Sequence, residues 1–217
     1  MDASGARARR RGRPRKGSQR DTRSAIIEAA AVEFADRGYD AATVRGIAAR
    51  AGVDSALVYH YFETKAGLFS AAVRMPVRPD RIVGEALRAP TAQLGRALVG
   101  SVIAVWDKPR VTPIAVAVIR SALGGTARGK PVREFLMHEL VTKLAERLRD
   151  DPGLDADEAR LRAELALAQV AGVLVMRYVI AAEPLASLSA GEVAARVGPA
   201  VQRHIDGIRD AVADEKP

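Results

Sequence analysis

An all-α fold is predicted by three features of the chain. Aromatic residues make up only 4% of 217 residues, and no stretch sustains the two-residue apolar alternation of a half-buried strand. Ala, Leu, Arg and Glu, all strong helix formers, fill the long segments between breaks. The breaks themselves are Gly and Pro, at Gly38, Gly52, Gly124-Gly125, Pro152-Gly153 and Pro184.

Taken in order, the first helix spans Thr22 to Arg37. Ile26, Ile27, Ala30, Ala31 and Phe34 recur there at helical spacing, and Gly38 supplies the stop. Thr43 caps a short second helix running to Ala51, with Val44, Ile47 and Ala48 inward, and Gly52 permits a tight turn. Asp54 or Ser55 caps a third, whose register puts Val58 and Phe62 on one face and Ala56 and His60 opposite. A fourth runs from Lys65 to Arg74. Pro76 and Pro79 then read as an interruption, after which the pattern lengthens, with helices expected over about 91–106, 110–123, 131–149, 157–182 and 189–213. The last opens on the capping-box residues Ser189 and Glu192 and carries Val193, Val197, Val201, Ile205, Ile208 and Val212 on one stripe; Pro199 is expected to bend it. This divides the chain into a basic arm (1–20), a small helical unit (21–74) and a larger one (75–217).

Charge is concentrated rather than spread. Residues 1–23 hold nine Lys or Arg against two Asp, and so supply seven of the net +8, leaving a nearly neutral body. Such an arm seeks a polyanion, either nucleic acid or an anionic membrane. The absence of cysteine excludes disulfides and thiolate chemistry and suits a reducing cytosol. The cationic start leads into an amphipathic helix instead of an apolar run, so it is not read as a secretion signal. The most apolar stretch, Leu165 to Ala182, contains Gln169 and Arg177. A charge near the centre of a spanning helix costs roughly 2.5–3.5 kcal/mol, which favours a buried or interfacial helix over a membrane span.

The segment TVRGIAARAGVDSALVYHYF, residues 43–62, satisfies the steric logic of a helix-turn-helix. Ala48 is small where the helices meet, Gly52 turns the chain, and Val53, Val58 and Phe62 face inward. Period and turn alone leave an ordinary helical hairpin as an equal reading; the basic arm and the polar outer face of the third helix shift the balance toward DNA. Extended to AAAVEFADRGYDAATVRGIAARAGVDSALVYHYFETKAGLF, the sequence closely resembles the DNA-binding domain of the tetracycline-repressor (TetR) family of bacterial regulators over about residues 21–70. The larger region resembles that family in length and helical layout.

The resemblance implies that the third helix enters the major groove, with Ser55, Ala56 and Leu57 at base-facing positions. Arg45 matches a position that can also reach a base, where its fork fits the O6 and N7 acceptors of guanine. Thr43, Tyr59, His60 and Lys65 match phosphate-binding positions, which orient the protein without specifying sequence. Ala56 and Leu57 depart from commoner versions of the family, offering methyl contacts suited to thymine. For the larger region the resemblance implies a homodimer paired through the last two long helices and a small-molecule effector pocket. Trp106, Phe135, Met137, Met176 and Tyr178 are the candidate lining residues, with Arg120, His138 or Arg177 as polar anchors. The expected function is a repressor that binds a palindromic double-stranded DNA operator as a homodimer, in the bacterial cytoplasm at the nucleoid.

Competing chemistry is thinly supported. GGTARGK (124–130) fits a phosphate loop by letters, but Pro131 stands where a Ser or Thr must hold magnesium, so it reads as an interhelical loop. His60 lacks partners at ligand spacing, and the acidic residues Asp150, Asp151, Asp155, Asp157 and Glu158 suit helix capping better than calcium. No catalytic residue, metal site or cofactor is therefore expected, and the chain is not read as an enzyme. A nonspecific nucleic-acid binder acting through the arm alone is the competing class.

In the arm itself, Gly12-Arg13-Pro14 between Arg11 and Arg15 resembles an AT-hook. Glycine permits close approach, proline keeps the chain extended, and Arg11, Arg13 and Arg15 suit a narrow, electronegative minor groove. Deleting residues 1–18 is expected to weaken operator binding and flatten its salt dependence while leaving dimerisation intact, as titrations at several salt concentrations would read.

Overall fold

The computed structural model describes residues 16–123, 129–150 and 153–207, and every regular element among them is helical. Arg11, Arg13 and Arg15, most of GGTARGK, and Ile208 and Val212 lie outside the described residues.

α1 (Lys16–Ala41) starts earlier than expected and is broken at Gly38, whose φ of 81° belongs to the left-handed region. α2 (Val44–Ala51) begins at Thr43, whose side chain accepts the Gly46 N–H, and ends at Gly52 in the left-handed conformation. α3 (Ser55–Phe62) is capped by Asp54 and α4 (Lys65–Ala72) by Thr64. Around these four helices closes a first core of Ile26, Ala30, Phe34, Ile47, Val58, Phe62 and Phe69.

The stretch read as a proline interruption is itself a helix, α5 (Pro79–Ala86). Pro79 sits in its first turn, where the missing N–H costs nothing and the fixed φ suits a helix, so this proline starts a helix where it was expected to break one. Beyond it, a 3₁₀ turn (Thr91–Gln93) leads into α6 (Leu94–Trp106), followed by α7 (Thr112–Leu123). The expected helix over 131–149 is one rod in three parts: α8 (Lys130–Leu136), a wider π-type turn (Met137–Thr142) and α9 (Lys143–Leu148). α10 (Ala156–Leu174) is capped by Asp155, which accepts the N–H groups of Asp157 and Glu158, and it too widens into a π-type turn (Val175–Val179). α11 (Ala190–Asp206) opens with the reciprocal capping box of Ser189 and Glu192 and continues through Pro199.

A second core fills the body, built from Leu94, Leu98 and Ile103 of α6, Leu144 and Leu148 of α9, Ala159, Ala163 and Ala166 of α10, and Val193, Val201 and Ile205 of α11. The aliphatic stripe of the last helix, expected to face a second chain, is thus largely spent inside its own. The reason lies in two glycines. A Cβ on Gly198 would stand 2.9 Å from Arg96 Cα, and one on Gly95 would meet the Gly198 carbonyl and lie 2.5 Å from Gln202 N. The backbones of α6 and α11 therefore touch, and Gln202 clamps the crossing by accepting the Gly95 N–H at 2.8 Å and donating to the Thr91 carbonyl at 3.0 Å.

Gly to Ala inside a helix ordinarily stabilises by about 0.5–1 kcal/mol. That is the expected result at Gly84 of α5, where a Cβ meets nothing within 4 Å. Gly95→Ala is expected to reverse the sign, costing roughly 1–3 kcal/mol because the obstacle is backbone; urea unfolding of the two variants checks the contrast.

Candidate nucleic-acid interface and the cavity behind it

The helix-turn-helix is held from the inside by a buried charge that looks like an ordinary helix-surface acid in the sequence. Glu33 of α1 is 3% exposed, and its carboxylate receives Arg50 of α2 at 3.1 Å and Arg37 at 3.1 Å. A buried carboxylate must be paired, and this pairing fixes α2 against α1. It also explains Gly46, where a Cβ would lie 2.9 Å from Glu33 Oε1. With Val44, Ile47, Ala48, Val58 and Phe62 inside, the outer surface carries Thr43, Arg45, Ala56, Tyr59 and His60 exposed, and Ser55 and Leu57 half-buried.

Asp54 Oδ1 accepts the Ala56 N–H at 2.7 Å, so the first turn of α3 stands at the surface with Ser55, Ala56 and Leu57 on it. Thr43 Oγ1 is already the acceptor for Gly46 N–H at 3.0 Å, which leaves its own proton available for donation to a phosphate. His60 and Tyr61 meet edge to face at 5.4 Å. Lys65 is placed otherwise. Its ammonium donates to the Asp40 carbonyl at 3.2 Å and lies 4.5 Å from the centre of the Tyr39 ring. Burial lowers its pKa against the opposing pull of Asp40, Glu139 and Glu134. In this conformation that ammonium belongs to the junction between head and body.

The junction centres on α8. Its Phe135 is fully buried in the head core, stacked on Phe69 at 4.7 Å and edge-on to Tyr39 at 5.2 Å. Glu134 accepts the Tyr39 N–H at 2.6 Å just past the Gly38 break, where a Cβ would strike the Glu134 carboxylate. One turn further, Glu139 accepts the Tyr39 hydroxyl proton at 2.6 Å and pairs with Lys143 at 2.5 Å. Burial first, and then the bond to Glu139, raise the Tyr39 pKa, so the phenol remains a donor. Nearby, Arg78 donates to Asp80 at 2.7 and 2.9 Å and to Thr64 Oγ1 at 3.0 Å. Burial alone would raise the Asp80 carboxyl; Arg78 outweighs it and leaves the group below its usual value.

The other side of the same rod faces a cavity of about 440 Å³, walled by Leu136, Met137 and Leu140, by Ile82 and Val83 of α5, and by Leu98 and Trp106 of α6, with α7 and α10 closing it. Of the residues expected to line a pocket, Trp106 and Met137 do so. Phe135 does not, because it points the opposite way into the head. Met176 is surface-exposed, and Tyr178 lies behind Trp106 at 5.3 Å, donating to Asp107 at 2.7 Å. Arg177 is no anchor either: buried, it donates to Asp107 at 3.0 Å and to the Leu185 carbonyl at 2.5 Å. Arg120 is exposed, and His138 faces Asp40 at 3.5 Å. The α5 wall was missed because its prolines read as a break. Among the described residues no group of three His, Cys, Asp or Glu could hold a metal ion, and no helix is long and apolar enough to cross a membrane.

Comparison with known proteins bears on both parts. Residues 26–72 match the family model described as bacterial regulatory proteins, tetR family, and residues 92–205 match the tetracyclin repressor-like C-terminal domain. The chain is 38% identical over 80 residues to the HTH-type transcriptional regulator BetI of Cronobacter sakazakii, a match spanning 37% of this chain and 40% of that protein. It is 31% identical over 172 residues to BetI of Rhizobium meliloti, covering 75% of this chain and 80% of the relative. A TetR-family regulator from Streptomyces coelicolor superposes with a TM-score of 0.48 at 32% identity, over 90% of this chain and 99% of its own.

Removing the hydroxyl that ties head to body, in Tyr39→Phe, strands one oxygen of a buried carboxylate. The expected loss is about 1.5–3 kcal/mol, measured from the urea midpoint of the full chain.

Proposed function

The chain belongs to the tetR family of bacterial regulatory proteins, and on that premise we propose that it is a sequence-specific transcriptional repressor, binding a palindromic operator as a homodimer and released by a small molecule. The observation that carries the reading is the outer face of the helix-turn-helix: both helices are rigidly capped, and the first turn of α3 stands clear of the head with Arg45, Tyr59 and His60 exposed around it. Ser55, Ala56, Leu57 and Arg45 read base edges in this scheme, while Thr43, Tyr59, His60 and the start of α4 hold phosphates. Residues 21–74 are the DNA-reading unit, residues 75–217 sense and dimerise, and the arm adds a minor-groove contact at the nucleoid.

Dimerisation finds its support on α10. Leu161, Leu165, Ala168, Gly172, Met176 and Ile180 recur every three or four residues along an exposed line, Leu161 at 50% and Ile180 at 58% exposure. A continuous apolar stripe on a surface marks an interaction site, and the small residues at its middle permit a close helix crossing. Release has a route as well. A molecule in the cavity bears on Leu136, Met137 and Leu140 of the rod that carries Phe135, Glu134 and Glu139 into the head. It shifts the head only to the extent that it binds one arrangement better than the other.

The experiment compares binding to a palindrome from the protein's own upstream region with a scrambled duplex at one salt concentration. A repressor binds the palindrome at least about 10³-fold more tightly, and Arg45→Ala costs about 1–3 kcal/mol on the palindrome alone. Comparable affinities for the two duplexes would instead indicate a nonspecific binder working through the arm.

A further inference from the structure

We propose that the cavity takes a lipophilic organic cation: an apolar body seated inside, with one positive group held at the rim by Glu164. The proposal rests on the effector-site reading above and specifies its chemistry. Almost every side chain lining the cavity is aliphatic, a methionine or a proline. The two that carry polar atoms are Trp106 and Glu164, and among the described residues no Lys, Arg or His lines it. At about 440 Å³ it lies within the range of roughly 300–1,000 Å³ typical of small-molecule sites.

Charge decides between ligands of equal size. An anion placed here would find no counter-charge and would face a carboxylate, and a desolvated unpaired charge is strongly disfavoured. A neutral lipophile gains the apolar burial alone. A cation gains the same burial and also Glu164. Glu164 is suited to the exchange. Its side chain is 38% exposed, and its present partner is Arg160, one helical turn earlier at 2.9 Å and itself 54% exposed. Exposed i,i+4 pairs of this kind bind weakly, so an incoming ammonium displaces Arg160 into water at small cost. Because Glu164 stands at the rim, the ligand's charged end keeps part of its hydration while its chain is buried.

Trp106 is the only tryptophan in the chain and lines the cavity, so its fluorescence reports occupancy directly. The test titrates the full-length protein with decylamine, decanol and decanoate below their micellar concentrations; the three share one chain and differ in head group. Decylamine is expected to bind at least about tenfold more tightly than decanol, with decanoate weakest. Glu164→Gln should remove the advantage of decylamine while leaving decanol unchanged. Decanoate binding as tightly as decylamine, an unaltered preference in Glu164→Gln, or no fluorescence response to any of the three would each overturn the proposal. Operator binding is followed in the same titration. Decylamine that occupies the cavity in the expected order without weakening the operator complex would uphold the ligand chemistry and overturn ligand release.

Discussion

The tightest joint between the helix-turn-helix head and the cavity is one helix that belongs to two cores. α8 gives Val132 and Phe135 to the head and Leu136 to the cavity wall, and the π-type turn that follows gives Met137 and Leu140 to the cavity and Glu139 to Tyr39. Phe135 is the pivotal side chain, since an aromatic ring packed against Phe69 and Tyr39 in a fully buried site tolerates little displacement. The widened turn lies where the rod must satisfy both neighbours at once. π-type turns inside helices are frequent at functional positions.

The remainder of the body is built to hold still. Where α6 and α11 cross at Gly95 and Gly198 no side chain separates their backbones, and Gln202 pins the crossing from both sides. Arg177, carried on the second π-type turn, ties α10 to Asp107 at the end of α6 and to the loop at Leu185. Set against these fixed crossings, the faces that α5 and the 137–142 turn present to the cavity are aliphatic, and aliphatic contacts re-pack at lower cost than paired charges or touching backbones.

What could be read in the sequence was what local chemistry decides. The caps at Thr43, Asp54, Asp155 and Ser189 and the turn at Gly52 follow from side-chain oxygens and a missing Cβ at fixed offsets, and the structure forms each of them. What escaped notice depends on distant partners. Glu33 looks like any helix-surface acid until Arg50 comes alongside. Phe135 looks like a pocket residue until the rod is turned so that it faces the head. The stripe of α11 reads as an interface because periodicity shows that a face is buried without showing against what. α5 was legible in principle, since Pro79 is as good a start signal as it is a stop signal. Only the run Ile82, Val83 and Ala86 behind it decides between the two.

The head is also held to the body by α5, beside the Tyr39 contact. Arg78, just ahead of α5, reaches Thr64 at the start of α4, and Arg81 of α5 pairs with Glu63, the residue that ends α3. Ile82 and Val83, on the same short helix, line the cavity. α5 is thus a strut with one face on the cavity and one end on the termini of α3 and α4, so that a displacement of its cavity face is felt at α3 without passing through α8.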